Sequence, residues 1–123
     1  MADRVRVTFY LPVTRISDRT AYLLVLDHIR SLRPRDGVPS GELVIRGYTV
    51  STDDPVVFGG LWWSERRHDW LRDDIVLLIL DFGAGDYDRD KVMGLKRRIQ
   101  SIYTGENAVQ EELYVTVEEI SLL

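Results

Sequence analysis

The sequence predicts an α+β domain, with two helices on one face of a mixed five-stranded sheet in the order β-α-β-β-β-α-β. Three observations lead there. Val5, Val7, Phe9 and Leu11 alternate with Arg6, Thr8 and Tyr10, the period of a half-buried strand. Tyr22, Val25, Leu26, Ile29 and Leu32 recur at helical spacing, as do Val92, Leu95, Ile99, Ile102 and Tyr103. Ile75 to Leu80 is apolar without a break, as expected of a central strand covered on both faces.

The elements follow in order. Pro12 ends the first strand, and Ser17 or Asp18 is placed to cap the first helix. Pro34 and Gly37 stop that helix, while Arg30 and Arg33 suit its negative C-terminal end. Glu42 to Val50 reads as the second strand. Asp53-Asp54-Pro55 is turn chemistry, and Val56 to Trp63 reads as the third strand. Ser64 to Asp73 reads as a polar loop. Gly83 and Gly85 form the exit of the fourth strand, and Asp86 or Asp88 caps the second helix. Gly105 suits the left-handed position after that helix. Leu113, Val115 and Val117 alternate with Tyr114 and Thr116 in a last strand.

Right-handed crossovers put both helices on the same side of the sheet. With the first and fourth strands at the centre and the last beside the first, the result is a ferredoxin-like sandwich. The 123 residues fit a single domain, 1–123, with a hydrophobic fraction of 45% and a charged fraction of 29%.

Composition narrows the function classes. The chain has no cysteine, which removes thiolate metal sites and cysteine nucleophiles. The formal net charge of −4 disfavours general nucleic-acid binding, which depends on neutralising phosphates. No signal-peptide core precedes the first strand, and no apolar run is long enough to cross a bilayer. The expected setting is the cytoplasm, with no membrane or nucleic-acid partner.

Helices on one face leave the other face open. Arg6, Thr8 and Tyr10 belong to that face, with Tyr114 and Thr116 from the last strand. Arg46 and Tyr48 from the second strand join them, with one of Trp62 and Trp63. Such residues combine a large apolar body with a polar tip and suit binding surfaces. An exposed apolar band of this kind calls for a partner. A homodimer is the simplest one, and a ligand held on the face is the other.

The densest chemical cluster is Trp62-Trp63-Ser64-Glu65-Arg66-Arg67-His68-Asp69-Trp70. His68 is the candidate general base, oriented by Asp69 or Glu65, with Arg66 and Arg67 as anion binders. A solvated hairpin tip, with tryptophans packed at the sheet end, accounts for the same residues more simply. His28 near the first helix's C-terminus answers the helix dipole. Asp86-Tyr87-Asp88-Arg89-Asp90 lacks the glycine and the distant glutamate of a calcium loop, with Arg97 where that glutamate belongs. Gly83-Ala84-Gly85 lacks the remaining residues of a phosphate loop, and the central strand lacks an RNA-binding signature. No metal and no cofactor is expected.

Gly60-Leu61-Trp62, the run from Ile75 to Asp81 and Tyr103-x-Gly105-Glu106-x-Ala108-Val109 resemble small uncharacterised bacterial proteins. Those proteins carry a tryptophan-bearing hairpin, an apolar strand, a helix and a closing strand. The architecture is also similar to dimeric α/β-barrel proteins, a group that includes small monooxygenases and dismutase-like enzymes. That resemblance implies two open sheets facing each other across a pocket. It carries no catalytic residue over to this chain.

The functional reading is a homodimeric module that binds a protein or small ligand on its open face. Its binding residues are Tyr10, Arg46, Tyr48, Trp62, Trp63, Arg66, Arg67 and Tyr114. The alternative is a small cofactor-independent enzyme, with a pocket on that face or beside the Trp62–Trp70 loop and His68 as its base.

Overall fold

A computed structural model describes residues 3–32, 43, 45, 47–49, 58–104 and 113–123. Five strands and two helices follow one another as β1 (Arg4–Pro12), α1 (Ile16–Ser31), β2 (Gly47–Thr49), β3 (Phe58–Ser64), β4 (Asp69–Gly83), α2 (Arg89–Thr104) and β5 (Tyr114–Ile120). Arg46, the Asp53-Asp54-Pro55 turn, the Pro34 and Gly37 stop signals and Gly105 lie outside the described residues, as do Glu106, Ala108 and Val109.

β1 sits between β4 and β5 and pairs with both. The pairing with β4 runs from Arg4 opposite Gly83 to Pro12 opposite Ile75. β2 and β3 both pair with β4. Ile75 faces Pro12 on one side and Phe58 on the other, so β3 continues along the edge that β2 occupies. Along this edge Thr49 faces Ile79 and Phe58 faces Ile75.

Every described pairing is antiparallel, which corrects the mixed sheet expected from the sequence. The reason is topological. The crossover through α1 leaves β1 and lands beyond β4, and the crossover through α2 leaves β4 and lands beyond β1. Each crossover skips one position, which the other half of the chain fills with an oppositely directed strand.

The core forms where the inward rows meet the helices. Val7, Phe9 and Leu11 of β1 face Leu80, Leu78 and Val76 of β4, and all six are fully buried. Val25 and Ile29 of α1 and Ile99 of α2 close the same cluster. The helices also touch each other.

Helix α1 starts earlier than the sequence suggests. Arg15 takes the extended N-cap position, and Asp18 serves from the first turn instead of capping. The Asp18 carboxylate accepts the Arg15 backbone N–H at 3.0 Å and is buried. The Arg15 guanidinium also donates to it. For α2, Asp88 accepts the N–H groups of Asp90 and Lys91 at 2.9 and 3.2 Å, the capping role expected of it.

Tyr103, near the end of α2, donates its hydroxyl to the Pro12 carbonyl at 3.0 Å. This contact pins the helix layer to the end of β1. Burial pushes the Tyr103 phenol far above its ordinary value, and the nearby Asp18 carboxylate and Tyr22 add to the effect. Burial also raises Tyr22. None of the described helices is long and apolar enough to cross a membrane.

Two predictions follow from this packing. Leu78→Ala empties space at the centre of the fully buried row and lowers the unfolding free energy by roughly 2–5 kcal/mol in a urea titration. A loss under about 1 kcal/mol would show that the row is not packed as described. The second concerns alkaline pH. Tyrosines of the unfolded chain ionise near about pH 10, where folded Tyr103 keeps its proton. Its contribution is intact below that pH and is lost as pH rises through it. Tyr103→Phe therefore flattens the alkaline fall in stability. An unchanged alkaline limb would sink this assignment.

Candidate functional site: an open sheet face and a projecting hairpin

The register divides the sheet residue by residue. Side chains directly opposite each other in a ladder share a face. Arg6 faces Asp81 on one side and Glu118 on the other. Thr8 lies between Ile79 and Thr116, and Tyr10 between Leu77 and Tyr114. These three rows form the middle of the face opposite the helices, between the rows of Arg4 and Pro12.

The rows differ in chemistry. At one end Arg6 forms a two-pronged ion pair with Asp81, with contacts of 2.8 and 3.1 Å. The hydrogen bond to Asp81 raises the Arg6 pKa against a smaller opposing effect of burial, and the charges of Asp81 and Glu118 act in the same direction as the bond. At the other end the rings of Tyr10 and Tyr114 meet edge to face, with centroids 5.0 Å apart. Leu77 and Ile79 stand half-buried between these ends. The face thus has a charged end, where Arg4 and Arg6 stand with Asp81 and Glu118, a middle of Leu77 and Ile79 beside two threonines, and an aromatic end with hydroxyl donors.

Tyr10 and Tyr114 come together as the alternation implies. Tyr48 does not join them. It faces Leu80, whose side chain points to the helices, and Tyr48 is exposed on that side. Here the sequence reading needed the register against β4, which composition does not supply.

The second feature is a hairpin. β4 has fifteen residues, of which β1 pairs only with Ile75 to Gly83. The remaining six, Asp69 to Asp74, continue with β3 as a two-stranded ribbon. At about 3.4 Å per residue the ribbon reaches roughly 20 Å beyond the Pro12 end of the sheet. The expected polar loop from Ser64 to Asp73 is therefore mostly strand. Charged residues hide its period, and only Glu65 to His68 form the turn.

The turn has its own supports. The Ser64 hydroxyl accepts the Arg67 N–H at 3.2 Å, and Ser64 is buried. His68 takes φ 50°, the left-handed region that closes the turn. The Asp69 carboxylate accepts the Trp70 N–H at 2.8 Å.

Trp63 and Trp70 face each other across the ribbon, edge to face, with centroids 5.6 Å apart. The His68 ring stands edge-on to Trp63 at 6.0 Å. Trp63 is 45% exposed, Trp70 59% and Leu61 67%. Trp62 faces Leu71 in the ladder. Arg66 and Arg67 are exposed in the turn.

The residues singled out in the sequence thus fall into two groups. Tyr10 and Tyr114 lie on the open face, while Trp62, Trp63, Arg66, Arg67 and His68 belong to the hairpin. His68 is exposed and rests on Trp63, which is not the enclosed, carboxylate-oriented place of a general base. Sequence reasoning missed the Arg6–Asp81 pair. The alternation around each residue carried the signal, since Arg6 and Asp81 are the outward members at matching ends of two apolar strands.

No family model matches the chain, and no curated protein matches it. Among solved structures it is similar to GlnK of B. subtilis in its complex with ATP. The TM-score is 0.54 and the identity 12%, over 98% of this chain and 84% of that one. It is also similar to the divalent ion tolerance protein CutA1 from Ehrlichia chaffeensis. There the TM-score is 0.47 and the identity 10%, over 100% of this chain and 86% of that one. The GlnK likeness shows a shared α+β fold of two helices against an antiparallel sheet.

The tryptophan pair has a measurable local role. A two-stranded ribbon depends on cross-strand pairs, and an aromatic pair is worth about 0.5–1.5 kcal/mol. Trp70→Ala should therefore speed amide exchange at Leu61, Trp63 and Leu71 by roughly two- to tenfold. Exchange at Phe9 and Leu78 should stay unchanged. Equal protection of the ribbon in both proteins would show that the pair does not hold it.

Proposed function

We propose that the chain is a homodimeric binding module with a ferredoxin-like β-α-β-β-β-α-β sandwich, whose open sheet face is the working surface. The observation that carries this reading is the band of Leu77 and Ile79, flanked by the Tyr10–Tyr114 pair, on the face away from both helices. A cytoplasmic setting suits the cysteine-free chain.

The occupant that fits first is a second copy. Two sheets pack face to face about 10 Å apart. A two-fold axis along the strands would set the charged Arg6–Asp81–Glu118 end against itself and the tyrosines against each other. An axis across the strands at the level of Thr8 avoids that. It lays the tyrosines of each copy over the Arg6 end of the other, where rings meet a guanidinium and hydroxyls meet carboxylates. The space between the copies is then where a small ligand belongs, with tyrosine hydroxyls as donors. The exposed position of His68 favours this binding module over the cofactor-independent enzyme.

The native mass after size exclusion tests the reading. The wild type should weigh two protomers, and Tyr10→Arg should shift it to one by placing a cation in the apolar band. Arg97→Ala, on the exposed side of α2, should leave the mass at two protomers. Identical masses for the wild type and Tyr10→Arg would refute the assignment.

A further inference from the structure

We infer that the edge of β5 is a second association surface, on which β5 of another copy pairs antiparallel about a two-fold axis through Val117. This goes beyond the open-face dimer and does not depend on it.

The edge itself comes first. Among the described residues β5 pairs on one side only, with β1. Alternate N–H and C=O groups of a strand point to either side, so β5 turns a row of them away from β1. Natural edges are blunted by charge, by proline or by shortness. β5 runs for seven residues, Tyr114–Ile120, without a proline, and its first four, Tyr-Val-Thr-Val, carry no charge. These are the residue types that favour a strand.

Coverage comes next. Val117 faces Val7 in the ladder and Glu119 faces Val5, so both belong to the helix side. Val7 is fully buried there, yet Val117 beside it is 49% exposed. The described helix layer thus stops at β5 and leaves room next to it for a further strand. A strand placed there would cover the exposed side of Val117.

Symmetry and charge choose the register. A two-fold axis that joins two antiparallel edges into one sheet stands perpendicular to that sheet. It keeps the helices of both copies on one side, so opposite residues share a face and the axis passes through a residue. With the axis at Val117, all seven residues find an opposite. Tyr114 meets the partner's Ile120, an aromatic and β-branched pair, and Val117 meets the partner's Val117. Thr116 meets the partner's Glu118, where its hydroxyl can donate to the carboxylate, and Val115 meets the partner's Glu119. No carboxylate lies directly opposite another. An axis at Glu118 would set that carboxylate against its own copy, and an axis at Thr116 would leave Glu119 and Ile120 without an opposite. The open faces of both copies point the same way and stay available.

The chain has no cysteine, so a single introduced thiol reads the register directly. Directly opposite Cα atoms of antiparallel strands lie about 4.5–5.5 Å apart, within reach of a disulfide. Glu119 and the partner's Glu119 would lie roughly 14 Å apart, which is out of reach. The test oxidises the full chain carrying Val117→Cys with diamide and follows covalent two-chain species on a non-reducing denaturing gel. The bond should form at least about tenfold faster than in Glu119→Cys, the advantage of a held pair over a colliding one. It should form equally in Val117→Cys combined with Tyr10→Arg, since the open face takes no part in it. Equal rates in the Val117→Cys and Glu119→Cys chains, or no bond in either, overturn the edge pairing. Loss of the bond on adding Tyr10→Arg assigns the contact to the open-face assembly and overturns the pairing as well. The mass shift of Tyr10→Arg without a cysteine tests the open face separately.

Discussion

Nine consecutive residue pairs between β1 and β4 fix both faces of the sheet at once. In this register Val5, Val7, Phe9 and Leu11 meet Phe82, Leu80, Leu78 and Val76 under the helices. The same register brings Arg6 to Asp81 and Tyr10 to Leu77 on the other side. A slip of one residue would put Arg6 and Tyr10 under the helices and the valines in water. Core and candidate surface are thus two consequences of one alignment. The Arg6–Asp81 pair serves as a polar marker of it, since two charges that match only in the correct register penalise every other one.

The second constraint is a mismatch of length. β4 runs well past the end of β1, so its first part cannot be covered by the sheet it belongs to. A two-stranded hairpin is marginal by itself in water. Here it is rooted in the sheet at Ile75 and clasped by Trp63 and Trp70 near its far end, while Ser64 and His68 set the turn. The root stiffens one end and the aromatic pair the other, which lets the ribbon project as an element of fixed shape.

Much of the fold was legible because burial is periodic. The alternation in β1, the unbroken run in β4 and the two helical stripes each announce a face that must leave water. The sheet's antiparallel character was not legible, since it follows from which strand fills the place a crossover skips. Nor was the hairpin's length. Glu65, Arg66, Arg67, Asp69, Arg72, Asp73 and Asp74 crowd that segment and break its hydrophobic period. The start of α1 lies two or three residues before the Ser17 or Asp18 cap that the sequence suggests, because Asp18 has the chemistry of a cap and acts from within the first turn. On the candidate surface, Tyr10 and Tyr114 could be matched by parity. Tyr48 could not, because its face depends on which residue of β4 it meets, and that pairing with Leu80 is not written in the local sequence.

The exposure of the tryptophans asks for more than hairpin stability. An aromatic cross-strand pair contributes about 0.5–1.5 kcal/mol, and β-branched or charged pairs supply a similar amount with far less apolar surface in water. Two half-exposed indoles beside Leu61 form the kind of patch that promotes unwanted association. Natural edge strands avoid such patches with charge, and this ribbon carries abundant charge around its indoles without removing them. The combination of apolar centre and charged rim is the anatomy of an interface that discriminates among partners. The open face shows the same plan, with an apolar band between an ion pair and tyrosine hydroxyls. The two surfaces leave β4 on opposite sides, since Trp70 has the parity of the helix-facing Val76, Leu78 and Leu80 whereas Leu77 and Ile79 have the other, so a partner lying flat on the open face leaves the indoles to a separate contact.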